Sequence, residues 1–397
     1  MRVLILSVTA GQGHNSCAKA ILHELQQRGL ECQMVDAVSY INEWIGKRLD
    51  KSYLDMSKYT PDFWSFLYRT GVKISEHSYN RNGDVDLLPF VPKRFHQLVE
   101  EFVPDVVICT HVFASMMIGH LRKMNKIKAA IVGINTDFTL HPFWELVNQD
   151  YMVLAGRGMD YSVQKRGIRA EQLLPIGLPV DPKFDLSIEA VEAKRQLGLE
   201  DKLMVLLMSG SMGFGDMTSS VKALDLLPSD FQIVVICGNN EKLRAELEKN
   251  VEKGIFEKKV RVCGFANNVQ EYMSAADIVC TKPGGLSVSE TMNMRRPLVL
   301  TAPIPGLEEI NAAFLVNNGV AVQSSSQYPL DETVYNLLRN PQQRERLVNA
   351  QIAMTPGKAT SRLADFVIDK IRYQLGEDKK EEEESGKSFS VKQTELR

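Results

Sequence analysis

The sequence has no Cys-x-x-Cys pair, nothing near the roughly eighteen uninterrupted apolar residues a spanning helix needs, and almost no net charge. Its six cysteines, at 17, 32, 109, 237, 263 and 280, are scattered. Four close strand-like runs (VVIC, VVIC, VRVC and DIVC), so they read as reduced, buried small hydrophobes of a cytoplasmic protein rather than as disulfides or metal ligands. Lys+Arg 47 against Asp+Glu 49 gives a formal charge of −2, which argues against a generic polyanion binder and a nucleic-acid partner. Local basic patches stay open. The start, MRVLILSVTAG, enters an apolar block without a charged leader and cleavage site, so secretion is not expected. Any membrane contact has to be peripheral.

What is present is a repeated alternation. Apolar runs RVLILSV, PDVVICT and KAAIVGINT occur in the first half, and KLMVLLMSG, QIVVICG, VRVCGF and DIVCTK in the second, most of them followed by a helix-period segment. Continuous Val/Ile/Leu runs alternating with helices imply α/β domains with parallel sheets buried on both faces. At 397 residues the chain is too long for one ordinary core. The expected division is 1–175 and 176–355 as two doubly wound, Rossmann-like domains, with the Pro/Gly-rich LLPIGLPVDPKFD as hinge. A helix over 356–375 is expected to pack back on the first domain, and the charged tail 376–397 to be disordered.

Three glycine-rich turns stand at strand ends. TAGQGHNSCAKAI places Gly11, Gly13 and His14 where a helix N-terminus offers unpaired N–H groups. Asp36 follows near the end of the next strand, about where dinucleotide folds keep a ribose-binding acid, but Ser16 fills the third glycine position of GxGxxG. A structural turn explains this segment as well as NAD does. LLMSGSMGFGDM repeats the design over Ser209 to Gly215 but continues Gly215-Asp216, without the GK[ST] of a P-loop; a diphosphate cradle of backbone amides remains. TKPGGLSVSE brings Gly284, Gly285, Ser287 and Glu290 to the end of a third strand. Residues 40–95 break the pattern with Trp44, Phe63, Trp64, Phe66 and Tyr68 among Lys47, Arg48, Lys51 and Arg69. They read either as helices capping the first sheet or as amphipathic helices at a bilayer interface. The Asp84-Val85-Asp86 triplet resembles a metal-binding DxD but reads as solvated loop.

Two such domains facing a cleft are the plan of GT-B glycosyltransferases. Over residues 2 to about 372 the chain resembles the MurG-like group, in particular the bacterial and plant diacylglycerol glycosyltransferases. The ordered set GxGH, TDF with HPFW, GLPVDPKF, GSMGFG, VCGF, KPGGLSVSE and PGLEEIN carries the resemblance; any one motif alone is weak. It implies UDP on the second domain, with Ser209, Gly210, Ser211 and Gly213 at the diphosphate, Gly284 and Gly285 permitting the nucleotide's close approach, the Phe265 backbone reading uracil, and Glu290 accepting from both ribose hydroxyls. It matches Glu308, Glu309 and Asn311 to positions that contact sugar hydroxyls, whereas Leu307 stands where relatives carry Gln and leaves glucose or galactose open.

The implied reaction is an inverting transfer from UDP-glucose or UDP-galactose to diacylglycerol, giving a β-linked glycolipid, with no cofactor and no catalytic metal. His14 is the first candidate base, with Asp137 either the base or the group that orients His14 or the hydroxyl. His111 and His141 read as structural. A lipid acceptor favours the interfacial reading of Trp44, Phe63, Trp64, Phe66 and Tyr68, beside Gly13, as the acceptor-entry surface on the inner face of an anionic membrane. A transferase for a soluble or peptidoglycan-precursor acceptor and a non-catalytic nucleotide-sugar sensor are the rivals.

Overall fold

The computed structural model describes residues 1–9, 12–37, 40, 91–208, 216–372 and 376. Gly11, most of the aromatic segment from Ile41 on, the loop Ser209 to Gly215 and the charged tail beyond 376 lie outside them, and with them the roles expected of Trp44, Phe63, Trp64, Phe66, Tyr68, Ser209, Gly210, Ser211 and Gly213. Two parallel six-stranded sheets organise the rest. The first contains β1 (Arg2–Ser7), β2 (Glu31–Asp36), β3 (Val106–Cys109), β4 (Ala130–Ile134), β5 (Tyr151–Val153) and β6 (Leu173–Leu174). The second contains β7 (Met204–Met208), β8 (Gln232–Ile236), β9 (Val260–Cys263), β10 (Ile278–Thr281), β11 (Leu298–Leu300) and β12 (Val322–Gln323).

The strand orders are β2-β1-β3-β4-β5-β6 and β12-β11-β10-β7-β8-β9. In each the chain starts in the middle, winds to one edge and returns to build the other, the doubly wound α/β arrangement expected from the sequence. The winding reverses between β1 and β3 in the first sheet and between β7 and β10 in the second. Crossover helices leave these paired strands toward opposite faces, so a crevice opens past their carboxyl ends. β3, β7, β8 and β10 are buried along their whole length, which is why their sequences read as unbroken apolar runs.

The cysteines are all free; Cys17, Cys109, Cys237 and Cys280 are buried, while Cys32 and Cys263 are only half-buried. Those two sit on strands β2 and β9, each at a sheet edge or next to one, where one face is less covered.

Five helices bear on the crevice: α1 (Gln12–Gln27), α2 (Val112–Lys123), α3 (Gly285–Asn293), α4 (Leu307–Asn317) and α5 (Ala359–Phe366). One apolar cluster runs without a break from Val3, Ile5 and Ile21 of the first lobe to Val288, Met292 and Leu315 of the second, and on to Leu363 and Val367. The lobes are therefore held against each other by shared burial. After the second sheet the chain returns to the first: Arg28, just past the end of α1, meets Asp365 and Ser361 of α5, and Tyr151 packs edge-on against Phe366 with ring centroids 4.7 Å apart.

The closest approach between lobes is at Gly285, the first residue of α3. A Cβ built there would lie 1.8 Å from the Thr136 carbonyl oxygen, at the loop after β4. The glycine thus admits the main chain of the facing lobe, whereas the resemblance had it admitting the nucleotide. Neither backbone can retreat without breaking the buried cluster behind it. Gly285→Ala is expected to destabilise the protein by about 1–3 kcal/mol, the usual cost of overpacking against an unyielding neighbour, visible as a lowered melting temperature. An unchanged transition would show that the junction gives way freely.

Candidate active site

His14 stands in the first turn of α1, beside the β1/β3 reversal. Its Nδ1 lies 2.7 Å from the carbonyl oxygen of Thr110, the residue after β3, and 3.3 Å from the Thr136 hydroxyl. A carbonyl can only accept, so Nδ1 carries the proton and Nε2 keeps its lone pair. Burial lowers the His14 pKa from the usual 6.5, against the opposing pull of the Thr110 carbonyl. The ring is therefore neutral at physiological pH with a free basic nitrogen. Asp137 makes no hydrogen bond to it among the described residues. The orienting group of His14 is a main-chain carbonyl.

His111 contacts His14 edge-on at 4.6 Å between centroids, and its Nδ1 accepts from the Phe113 amide at 3.1 Å as the N-cap of α2. His141 likewise accepts from the Phe143 amide at the start of the turn Pro142–Leu146. Burial pushes His111 well below the usual range and His141 down to about 4, so both stay uncharged structural caps, as the sequence suggests. Asp36 accepts from the amide and hydroxyl of Thr9, which in turn accepts from Asn15. That acid fastens the loop ahead of α1, and the dinucleotide reading of the segment loses its ribose partner.

Across the crevice, β10 ends in Thr281 and passes into Lys282, Pro283 and Gly284. Lys282 is only 9% exposed, and its ammonium lies 3.1 and 3.4 Å from the two carboxylate oxygens of Glu308. Glu308 also accepts from the Ile304 amide at 2.8 Å, while Glu309 accepts from the Gly306 amide at 3.0 Å. Gly306 has φ 102, a conformation that calls for glycine. Asn311 is fully buried. Its amide donates to Asp137 at 2.9 Å and to the Pro283 carbonyl at 3.1 Å, and accepts from the Phe138 amide at 2.9 Å. Both amide protons are thus engaged by protein, which leaves the second lone pair of Oδ1 as the only hydrogen-bonding position Asn311 could offer a sugar hydroxyl. Burial raises the Asp137 pKa to about 6, partly offset by Asn311, with Glu308 adding repulsion.

Glu290 is half-buried on α3, and no described side chain hydrogen-bonds its carboxylate. Burial raises its pKa to about 8, against the attraction of Lys183 and with added repulsion from Asp181. The N-terminus of α3 carries no side-chain cap among the described residues. The helix Met217–Asp225 is different: Asp216 caps it, accepting from the Ser219 amide at 3.0 Å, so an acid directly follows the loop expected to hold the diphosphate. Phe265, past the end of β9, is 63% exposed, and no described residue hydrogen-bonds its peptide N–H. Gly13 faces Leu286 at the start of α3, with a built Cβ 3.8 Å from the leucine Cβ.

Lys282, Thr110 and Thr136 are not singled out by the motifs. Lys282 alone had a sequence signal: a lysine directly after an apolar strand and before Pro-Gly-Gly. The roles of Thr110 and Thr136 come from main-chain and hydroxyl oxygens that a sequence does not place. Among the described residues there is no cluster of three His, Cys, Asp or Glu side chains with metal-ligand placement, and no helix long and apolar enough to cross a membrane.

Two facing Rossmann-like lobes with this crevice define the GT-B class. MurG of Acinetobacter baumannii shares the arrangement with a TM-score of 0.60 at 16% identity, covering 92% of this chain and 98% of that one. Residues 14–180 match the family description of monogalactosyldiacylglycerol (MGDG) synthase, and residues 191–354 that of glycosyl transferases group 1. A processive diacylglycerol beta-glucosyltransferase of Bacillus mycoides is 30% identical over 324 residues, 81% of each chain. One from Bacillus cytotoxicus is 26% identical over 375 residues, 94% of this chain and 95% of the relative. The chain belongs to the diacylglycerol glycosyltransferase family.

The unpartnered Glu290 carboxyl has a pKa above its ordinary 4.5, so its protonated form favours the fold at low pH and that contribution is lost as pH rises from about 4.5 to about 8. Glu290→Gln is expected to leave the melting temperature unchanged near pH 4.5 and to raise it relative to the parent near pH 8. A gain of the same size at both pH values would show that the carboxyl is not desolvated.

Proposed function

We propose that the protein is an inverting glycosyltransferase that moves glucose or galactose from a UDP-sugar to the hydroxyl of 1,2-diacylglycerol, forming a β-linked glycolipid. The observation that carries this reading is the opposition of two groups: a neutral His14 with Nε2 free on one wall, and on the other an unpartnered Glu290 beside the uncapped start of α3. The donor would lie on the second lobe. Glu290 would accept from the ribose hydroxyls, the Phe265 main chain would meet uracil, and the Gly284-Gly285-Ser287 turn would border the diphosphate.

In the transfer, Nε2 of His14 takes the proton of the acceptor hydroxyl while its oxygen bonds to the anomeric carbon from the face opposite UDP. The bond to the diphosphate oxygen breaks, and the electron pair leaves with UDP. The Thr110 carbonyl stabilises the imidazolium through Nδ1–H. Negative charge developing on the diphosphate is met by the first amides of α3 and by Lys282, whose charge Glu308 only partly offsets. No metal is assigned a step. Glucose against galactose would be decided near Glu308, Glu309 and Leu307.

The acceptor is a lipid, so the protein would work bound peripherally to the inner face of a membrane, docked through aromatic and basic residues between 40 and 95. Each basic group near an anionic surface adds on the order of 1 kcal/mol. Family membership favours this acceptor over a soluble one, and favours an enzyme over a sensor.

The test is incubation with UDP-glucose or UDP-galactose and diacylglycerol in anionic vesicles, with mass and linkage analysis of the lipids. A β-glycosylated lipid is expected from one donor. His14→Ala should retain UDP affinity and lose transfer by about 100-fold or more, the usual worth of a general base; a variant of normal turnover would remove His14 from the chemistry. The parent's kcat/KM is expected to fall only below pH 6.5, since the base works neutral and its pKa is lowered from that value.

A further inference from the structure

We propose that Asn311 is a positioning residue that reaches from the second lobe to set the Asp137 carboxylate of the first, so that this acid is in place only when the lobes are apposed. The inference rests on the transferase reading and deepens it. Asn311 sits on α4 and Asp137 in the loop after β4, 174 residues apart in sequence, and their side chains meet at 2.9 Å. The same amide holds the Phe138 N–H on that loop and the Pro283 carbonyl on its own lobe, so one buried side chain pins three segments. One turn further along α4, Phe314 stacks on Phe138 with centroids 6.1 Å apart and planes at 25°. The Thr136 carbonyl lies over Gly285, and Asn135 braces the loop from within by donating to the carbonyls of Asp137 and Thr139.

Glu308 is three residues before Asn311, on the same face of α4, and holds Lys282 of the donor-side turn. Helix α4 therefore contributes Glu308 to the donor-side ion pair at one turn and Asn311, the partner of the acceptor-side acid, at the next. A shift of the Lys282–Glu308 pair on donor binding would be felt at Asp137 through one rigid turn. The groups facing Asp137 are Asn311, the repulsive Glu308 with its Lys282 partner, and, through Thr136, the neutral His14.

The experiment compares Asn311→Ala, Asp137→Asn and the double substitution in steady-state transfer to diacylglycerol vesicles, with UDP binding measured by calorimetry. Loss of one hydrogen bond to a charged group should lower kcat about 10- to 100-fold in Asn311→Ala, with donor KM and UDP affinity unchanged. The double variant should be no slower than Asp137→Asn alone, since the first acts through the second. The acidic limb of kcat/KM should move to higher pH in Asn311→Ala, because the lost donor favoured the ionised acid. A raised donor KM with kcat preserved, or losses that add in the double variant, would overturn the proposal in favour of a direct sugar contact. If Asn311→Ala does not fold, Asn311→Ser, which leaves less empty volume, takes its place.

Should the parent transfer nothing to diacylglycerol, the acceptor reading fails while the positioning one is still read by melting. Asp137 has its pKa raised to about 6, so its protonated form stabilises the fold at low pH and that share is lost as pH rises through about 6. Without the Asn311 donor the loss is larger. Asn311→Ala should therefore lower the melting temperature more above pH 6 than below pH 4, and Asp137→Asn should abolish that difference. A pH-independent loss would reduce Asn311 to packing alone.

Discussion

The structure depends on one close approach: the Thr136 carbonyl set against the bare Cα of Gly285. Two backbones can come this near only where a Cβ is missing, and the approach brings the loop after β4 within reach of α4. From it follow the burial of Asn311, the seating of Phe138 on Phe314, and the continuous apolar cluster that joins β1 to α3 and α4. A bulkier residue at 285 would part the walls and leave Asp137 without its partner.

The same geometry separates two kinds of charged group. Lys282 is buried with the Glu308 carboxylate within hydrogen-bonding distance of its Nζ. Glu290 is partly buried and has no such partner among the described residues, and its burial raises its pKa to about 8. A carboxyl left waiting in a crevice is costly for the fold unless a ligand completes it. In the proposed function, ribose hydroxyls would supply the donors such a group lacks. Asp216 works the other way: as a helix cap beside the expected phosphate position it leaves the positive charge there to Lys282 and the start of α3.

Much of this was legible in the sequence. Runs such as VVIC and MVLLM are buried on both faces and so announce parallel strands wherever they occur. The turns around Gly13 and Gly284 were legible as turns because strand ends favour few residue types. Less legible were the residues whose role is set by the opposite lobe. Asn311 looks like a ligand contact from its motif, but its amide is taken up by Asp137, Pro283 and Phe138. Gly285 looks like an opening for a nucleotide, but its space is filled by the Thr136 carbonyl.

The sequence by itself determined the two doubly wound units, the positions of their glycine turns and the family, because periodicity and motif order are local properties of the chain. Only the tertiary structure decided which nitrogen of His14 is free, which acids have partners and which wall each faces. Those outcomes turn on contacts between residues distant in sequence, such as His14 with Thr110 and Asn311 with Asp137. Hydrogen bonding and desolvation depend on distance in space, which the order of residues does not record.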